Sequence, residues 1–165
     1  FFAMLGEFRG TFGRKTTIDG KPIKAFPLPD DVAEATTGAL KNPGLAYRMK
    51  SIKTAADALT NRLLTQLEEM PPEDGIEELK KIKGIGDYTA RVAQLYGLRR
   101  YRVGFVDGYV QKLIGRLYLG HPRPSPREVL DFAEEKWGNR QGYALDLIIA
   151  YVQSVEQRRN DGAND

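Results

Sequence analysis

The sequence predicts an all-α protein, and three observations carry that reading. Apolar residues recur at helical spacing through most of the 165 residues, strand-type alternation is scarce, and proline and glycine breaks divide the helical segments. A hydrophobic content of 41% with 28% charged residues fits a folded globular chain. Its length suits one domain, or two small lobes sharing a core. No apolar run approaches the ~20 residues that a membrane-spanning helix needs, so no membrane association is expected.

Each element follows from its local signals. Phe1-Phe2-Ala3-Met4-Leu5 reads like the middle of a buried helix, one that ends near Gly13, and it suggests that an upstream piece precedes Phe1. The stretch Thr16 to Ile23 carries the turn signal Asp19-Gly20 between short extended arms. Pro27 and Pro29 lead into a short helix from Asp30, and Asn42-Pro43-Gly44 breaks the chain again. A long amphipathic helix is expected from about Leu45 to Gln66, with Ile52, Ala55, Ala56, Leu59 and Leu63 on its apolar face. After Pro71-Pro72 come a short helix from Glu73 to Lys81 and a tight turn at Gly84-Ile85-Gly86. A second helix follows from Asp87, as its cap, to Tyr96. Asp107 is placed to open the next helix, with Val110, Leu113, Ile114 and Leu117 inward. Pro124-Ser125-Pro126 precedes a helix through Phe132 to Trp137, and a last helix runs from about Gln141 to Val155. Residues 158–165 read as a frayed polar tail.

Composition excludes several chemistries. Cysteine is absent, which removes disulfides, thiolate catalysis and iron–sulfur clusters, and His121 is the sole histidine, so no zinc site of the His/Cys type is available. The net charge of +3 and pI near 9.1 are a weak sign of nucleic-acid binding. The placement of charge says more. Lys80, Lys81 and Lys83 flank the glycine turn, and Arg99, Arg100 and Arg102 bracket Tyr101 shortly before Asp107. Two solvated polar faces would read the same way.

The most specific string is Leu79-Lys80-Lys81-Ile82-Lys83-Gly84-Ile85-Gly86-Asp87-Tyr88-Thr89-Ala90. Two glycines one residue apart let the backbone turn sharply and approach a ligand closely. The helix that follows turns free N–H groups and its positive dipole end outward, which makes a seat for phosphate. Gly-x-Gly alone also fits a plain helix-turn-helix link with a glycine cap. The full string resembles the hairpin of the helix-hairpin-helix DNA glycosylases, the superfamily that includes endonuclease III, 8-oxoguanine glycosylase and 3-methyladenine glycosylase II. The likeness runs from about Phe26 to Ala150. Gly104-Phe105-Val106-Asp107-Gly108 is similar to that family's loop with an essential aspartate at a helix start. Trp137-Gly138 and Gly142-Tyr143-Ala144 resemble its closing segment, and Gly44-Leu45-Ala46-Tyr47-Arg48 looks like a turn of the 8-oxoguanine branch.

The resemblance implies a two-lobed helical bundle without the family's first helices, forming one unit over residues 1–165. The hairpin lies at about 73–97 and the catalytic loop and helix at about 101–119. It implies a base-excision enzyme acting inside the cell as a monomer on double-stranded DNA containing a damaged base. Asp107 is the expected catalytic carboxylate, although its residue type and position equally suit an ordinary N-cap. Tyr88 is placed either to stack on the flipped base or to pack in the core. Gly84, Gly86, Lys83 and Thr89 would contact backbone phosphate; Tyr47 and Arg48 would wedge the base stack and face the orphaned base, or sit on the surface. Trp137 is expected in the core. The carbonyls of Lys80, Ile82 and Ile85 are candidates for a K⁺ or Na⁺ ion, and no cofactor is otherwise required.

Three departures shape the activity expected. Tyr88 stands where lyase members carry a Schiff-base lysine, no cysteines exist for a cluster, and the loop before Asp107 lacks the family's proline. Tyr88 in that place favours a monofunctional enzyme, and the hairpin's likeness to 3-methyladenine glycosylase II favours alkylated purines as its substrate. Excision of a mismatched T or U, or of an oxidised purine, is the alternative, and a non-catalytic DNA-binding hairpin module is the alternative of another class.

Overall fold

The structure, a computed structural model, describes residues 2–35, 48–59 and 61–161. Within them the expected helical organisation holds. Helix α1 (Phe2–Phe12) leads to an antiparallel hairpin of β1 (Lys15–Ile18) and β2 (Lys21–Lys24), in the register Thr16 opposite Ile23. The Asp19-Gly20 signal is a true turn: both residues take positive φ, 50° and 74°, as a two-residue hairpin turn requires. Helices α2 (Pro29–Ala33), α3 (Arg48–Ala58), α4 (Asn61–Glu69) and α5 (Pro72–Lys80) follow. Phe8, Val32 and Met49 bury one another, with Phe12, Ile52 and Ala56 packed alongside.

The single long helix expected from Leu45 to Gln66 is divided. α3 closes with the Leu59 N–H on the Ala55 carbonyl at 2.9 Å, and α4 begins at Asn61. Leu45 to Tyr47 lie outside the described residues.

Helix α6 (Asp87–Val92) passes into a π-helical turn at Ala93–Gly97. α7 (Gly108–Ile114) likewise passes into one at Gly115–Leu119. The second π turn corrects an expectation. Val110, Leu113 and Ile114 are buried, but Leu117 is 47% exposed and Leu119 packs against the core in its place. A π turn inserts one residue into the helical repeat and so rotates everything after it. Helix α8 (Pro126–Trp137) starts with a reciprocal cap: Ser125 accepts the Glu128 N–H at 3.2 Å, and Glu128 accepts the Ser125 N–H at 2.7 Å. Trp137 meets Phe132 and Tyr118 edge-on, in agreement with a core role.

Helix α9 (Gln141–Asp161) follows a short 3₁₀ turn at Gly138–Arg140. It extends beyond the expected Val155, so residues 158–161 are helical rather than frayed. Arg158 and Arg159 in its last turn suit the negative end of the helix dipole.

The chain forms two compact units, Phe1–Pro71 with Glu77–Ile85, and Pro72–Ile76 with Gly86–Asp165. In the second, Leu95, Phe105, Val110, Ile114, Val129, Ala133 and Leu145 make one continuous core. Among the described residues no helix is long and apolar enough to cross a membrane.

Candidate active site

The turn at the end of α5 is tight for reasons visible atom by atom. The Ile85 N–H reaches back to the Ile82 carbonyl at 3.0 Å, and Gly84 sits at φ +98°. A Cβ on Gly84 would also lie 2.8 Å from Ser51 Oγ, so this glycine is required on two counts. Ile82 is buried and Ile85 half-buried, which ties the turn down from inside. Lys80 and Lys81 pair with Glu77 and Glu78 one turn earlier, whereas Lys83 is exposed and has no carboxylate partner among the described residues.

The second glycine is a different case. Gly86 has φ −94° and ψ 179°, an extended backbone open to any residue, and a Cβ there would meet nothing within 4 Å. It stands at the N-cap position of α6, which corrects the assignment of that cap to Asp87. Asp87 is the first residue inside the helix and its carboxylate turns down the helix to Arg91 Nε, at 2.7 Å. The i,i+4 spacing to a guanidinium offers it a charged partner in place of backbone amides. Thr89 is exposed on the same helix.

Arg91 also reaches out of its helix: its guanidinium donates to the Gly104 carbonyl at 3.3 Å. The loop that delivers Asp107 is therefore held from α6, and from α9 as well, because the Gly142 N–H donates to the Tyr101 carbonyl at 2.9 Å. Gly142 must be glycine there, since a Cβ would lie 2.1 Å from the Val103 carbonyl oxygen. Val103 and Phe105 are buried between these anchors.

Asp107 caps α7. Its Oδ1 accepts the N–H groups of Tyr109 at 2.9 Å and Val110 at 2.8 Å. Its other carboxylate oxygen has no partner among the described residues, and the side chain is exposed. One oxygen is thus fixed by the helix end and the other is presented outward. Tyrosines flank it. Tyr88 is 44% exposed, meets Phe105 edge-on at 6.1 Å between ring centroids, and lies within electrostatic reach of Asp107. Burial pushes the Tyr88 hydroxyl up, and the Asp107 charge adds to the shift. The Tyr109 hydroxyl is raised by burial first, then by Glu156 and Asp107, against Arg116. Tyr88 is therefore not a core residue.

The aromatic surface continues past Phe105 to Tyr96, at 6.4 Å, whose hydroxyl donates to Asp146 of α9. Burial, that hydrogen bond and the neighbouring charge together hold the Tyr96 hydroxyl above the ordinary phenol range. Neither Tyr96 nor Asp146 was reached by sequence reasoning. Tyr47 lies outside the described residues, and of Arg48 the backbone alone is described, as the first residue of α3. Among the described residues, no cluster of three His, Cys, Asp or Glu side chains is placed to hold a metal ion.

Comparisons with known proteins converge. A probable N-glycosylase/DNA lyase of Methanothermobacter thermautotrophicus is 21% identical over 89% of this chain and 53% of its own length. The 8-oxoguanine glycosylase/lyase of Clostridium acetobutylicum, bound to duplex DNA with cytosine opposite 8-oxoG, is 27% identical with a TM-score of 0.78. That match covers 93% of this chain and 53% of the enzyme. The 3-methyladenine DNA glycosylase of Archaeoglobus fulgidus is 26% identical with a TM-score of 0.77, over 91% and 51%. The chain thus spans about half the length of these relatives. The profile of the HhH-GPD superfamily matches residues 2–139, a span that includes the glycine hairpin and the Asp107 cap, and this chain belongs to that superfamily of base excision DNA repair proteins.

Proposed function

We propose that the chain acts in a monofunctional DNA glycosylase that removes N-alkylated purines from duplex DNA. The observation that carries this reading is Asp107, with one oxygen fixed by two helix-end amides and the other presented beside Tyr88 and Tyr109. A glycosylase flips its target nucleotide out of the stack, because the anomeric carbon is unreachable inside a duplex. As the N-glycosidic bond breaks, its electron pair leaves with the base and positive charge grows on the sugar. The free oxygen of Asp107 stabilises that charge, and water then adds at the anomeric carbon and gives up a proton. Gly84, Gly86, Lys83 and Thr89 grip backbone phosphate, which positions the duplex without reading its sequence. The resemblance of the Gly44–Arg48 string alone gives Tyr47 the role of wedge in the base stack and Arg48 that of contact to the orphaned base.

The donor set at the hairpin suits a monovalent cation: the Lys80, Ile82 and Ile85 carbonyls are neutral oxygens in one tight turn. Such an ion would add positive charge beneath a bound phosphate.

Tyr88 supports the monofunctional assignment, because a phenol has no amine with which to form a Schiff base. A second reading, excision of an oxidised purine, is favoured by the 27% identity to an 8-oxoguanine glycosylase/lyase. A purely DNA-binding module has no use for a carboxylate presented outward at a helix start. The test is a panel of duplexes, each with one lesion, scored for base release with and without hot alkali. The expected result is release of alkylated purines, with strand breaks only after alkali. A covalent protein–DNA adduct trapped by borohydride would overturn the monofunctional reading and send the search to Lys81, Lys83 or Lys112.

A further inference from the structure

Helix α3 and the glycine turn after α5 meet inside the first unit, and one side chain stands where they meet. A Cβ on Gly84 would lie 2.8 Å from Ser51 Oγ and 2.9 Å from Ser51 Cβ, so the hydroxyl sits directly against the turn. Ser51 and Gly84 are both exposed, and the contact therefore opens to solvent rather than into the core. A hydroxyl on a helix commonly returns to its own backbone. Thr54 does so, donating to the Lys50 carbonyl at 2.9 Å, and Ser154 does so to that of Tyr151 at 2.7 Å. The Ser51 hydroxyl has no partner among the described residues. Helix propensity does not account for it either, because alanine is equally small and the better helix former. The charge beside it is positive. Lys50 precedes it on α3 and Lys83 precedes Gly84, both exposed and without a carboxylate partner among the described residues.

We propose that Ser51 is part of the DNA grip, its hydroxyl donating to the backbone phosphate that the glycine turn receives. The inference rests on the reading of that turn as a phosphate seat, and it adds a side chain from a helix far upstream in the sequence. A serine hydroxyl is a single donor on a short arm, free to rotate toward an acceptor. A phosphodiester oxygen carries charge, so it accepts a stronger hydrogen bond than a neutral group does. Short length matters here as well, since a longer side chain at position 51 would fill the space beside Gly84 that an approaching strand needs. Lys83 and Ser51 then divide the work. The lysine supplies a flexible point charge with little directional preference. The hydroxyl supplies a fixed direction and no charge, so it releases no counterion from the DNA. Ser51 is a binding residue and takes no part in bond cleavage.

The test measures duplex affinity by fluorescence anisotropy across about 50 to 200 mM salt. It compares the full wild-type chain with Ser51→Ala, Ser51→Asp and Lys83→Ala, and records Tm for each. Ser51→Ala is expected to weaken binding about tenfold, the value of one hydrogen bond to a charged group. The loss should be the same at every salt concentration, with the slope of the wild type, because no charge has been removed. Lys83→Ala should instead make the slope shallower. Ser51→Asp should bind more weakly still, and lose most at low salt, where its repulsion of the phosphate is least screened. Tm of Ser51→Ala should equal or exceed that of the wild type. Wild-type affinity in Ser51→Ala or in Ser51→Asp overturns the proposal, and so does a loss in Ser51→Ala that comes with a lower Tm. Each would make Ser51 a packing residue. A flat salt response in the wild type overturns the phosphate seat and this inference together, whereas a steep one with unimpaired Ser51→Ala overturns this inference alone. If the chain releases no base but Ser51→Ala shows the expected loss, the excision reading fails and the place of Ser51 in the grip stands.

Discussion

Asp107 shows how one residue can satisfy two demands. As a helix cap it must offer an oxygen to the amides of Tyr109 and Val110, and it does so with Oδ1 alone. As a catalytic carboxylate it must present charge toward the sugar, and its second oxygen is available for that. Asp107→Asn separates the roles, because asparagine caps equally well but carries no charge. Single-turnover base release is expected to fall by about 10²–10³, the usual value of one electrostatic group, with Tm near wild type and lesion-DNA affinity preserved. Undiminished excision would remove Asp107 from the mechanism. At this scale the sequence was informative where function attaches to a local string: Asp107 lies in a loop of recognisable pattern, and Tyr88 a fixed step beyond the hairpin. Tyr96 and Asp146 were illegible because they are 50 positions apart and meet only through the packing of two helices.

At the scale of the element, the two hairpin glycines look equivalent in sequence and are not equivalent in structure. Gly84 has a left-handed backbone and Ser51 against it, so Gly84→Ala should destabilise the fold by about 1–3 kcal/mol. In a chain of this size that lowers Tm by roughly 2–4 °C for each kcal/mol. Gly86 has an extended backbone and open space around it, so Gly86→Val should leave Tm close to wild type. What it should damage is DNA binding, by filling the space a phosphate needs, and equally for intact and lesion-containing duplexes. Unimpaired binding by a folded Gly86→Val protein would take this turn out of the DNA contact. Helix starts at prolines and caps were legible, as at Ser125 and Asp107, because the residue and its partner are three positions apart or fewer. The two π turns were not. They keep helical composition and shift only the register, which shows at Leu117 and Leu119 once the core is seen.

Across the whole molecule, a net charge of +3 is too small to identify a nucleic-acid partner, so the distribution of charge has to carry the argument. Several cations are already engaged: Lys80 with Glu77, Lys81 with Glu78, Arg91 with Asp87, and Arg102 with Glu73. Surface pairs of this kind are worth little and can exchange for phosphate, but each exchange frees a carboxylate that then repels the backbone. Lys83 carries no such penalty. If the chain grips duplex DNA through backbone phosphate, its affinity should fall linearly with salt on logarithmic axes, by about 0.9 in slope for each phosphate neutralised. It should also be nearly independent of base sequence. Lys83→Ala should reduce that slope by about one and weaken intact and damaged duplexes alike. Lys81→Ala should change it less, because the wild-type lysine spends part of its charge on Glu78 and its removal leaves that carboxylate facing the DNA. A titration from 50 to 200 mM salt, about the range over which phosphate-dominated binding loses orders of magnitude, measures both slopes. A flat response in the wild-type chain would rule out a phosphate grip at the hairpin. A slope unchanged by Lys83→Ala would place the grip elsewhere on the chain.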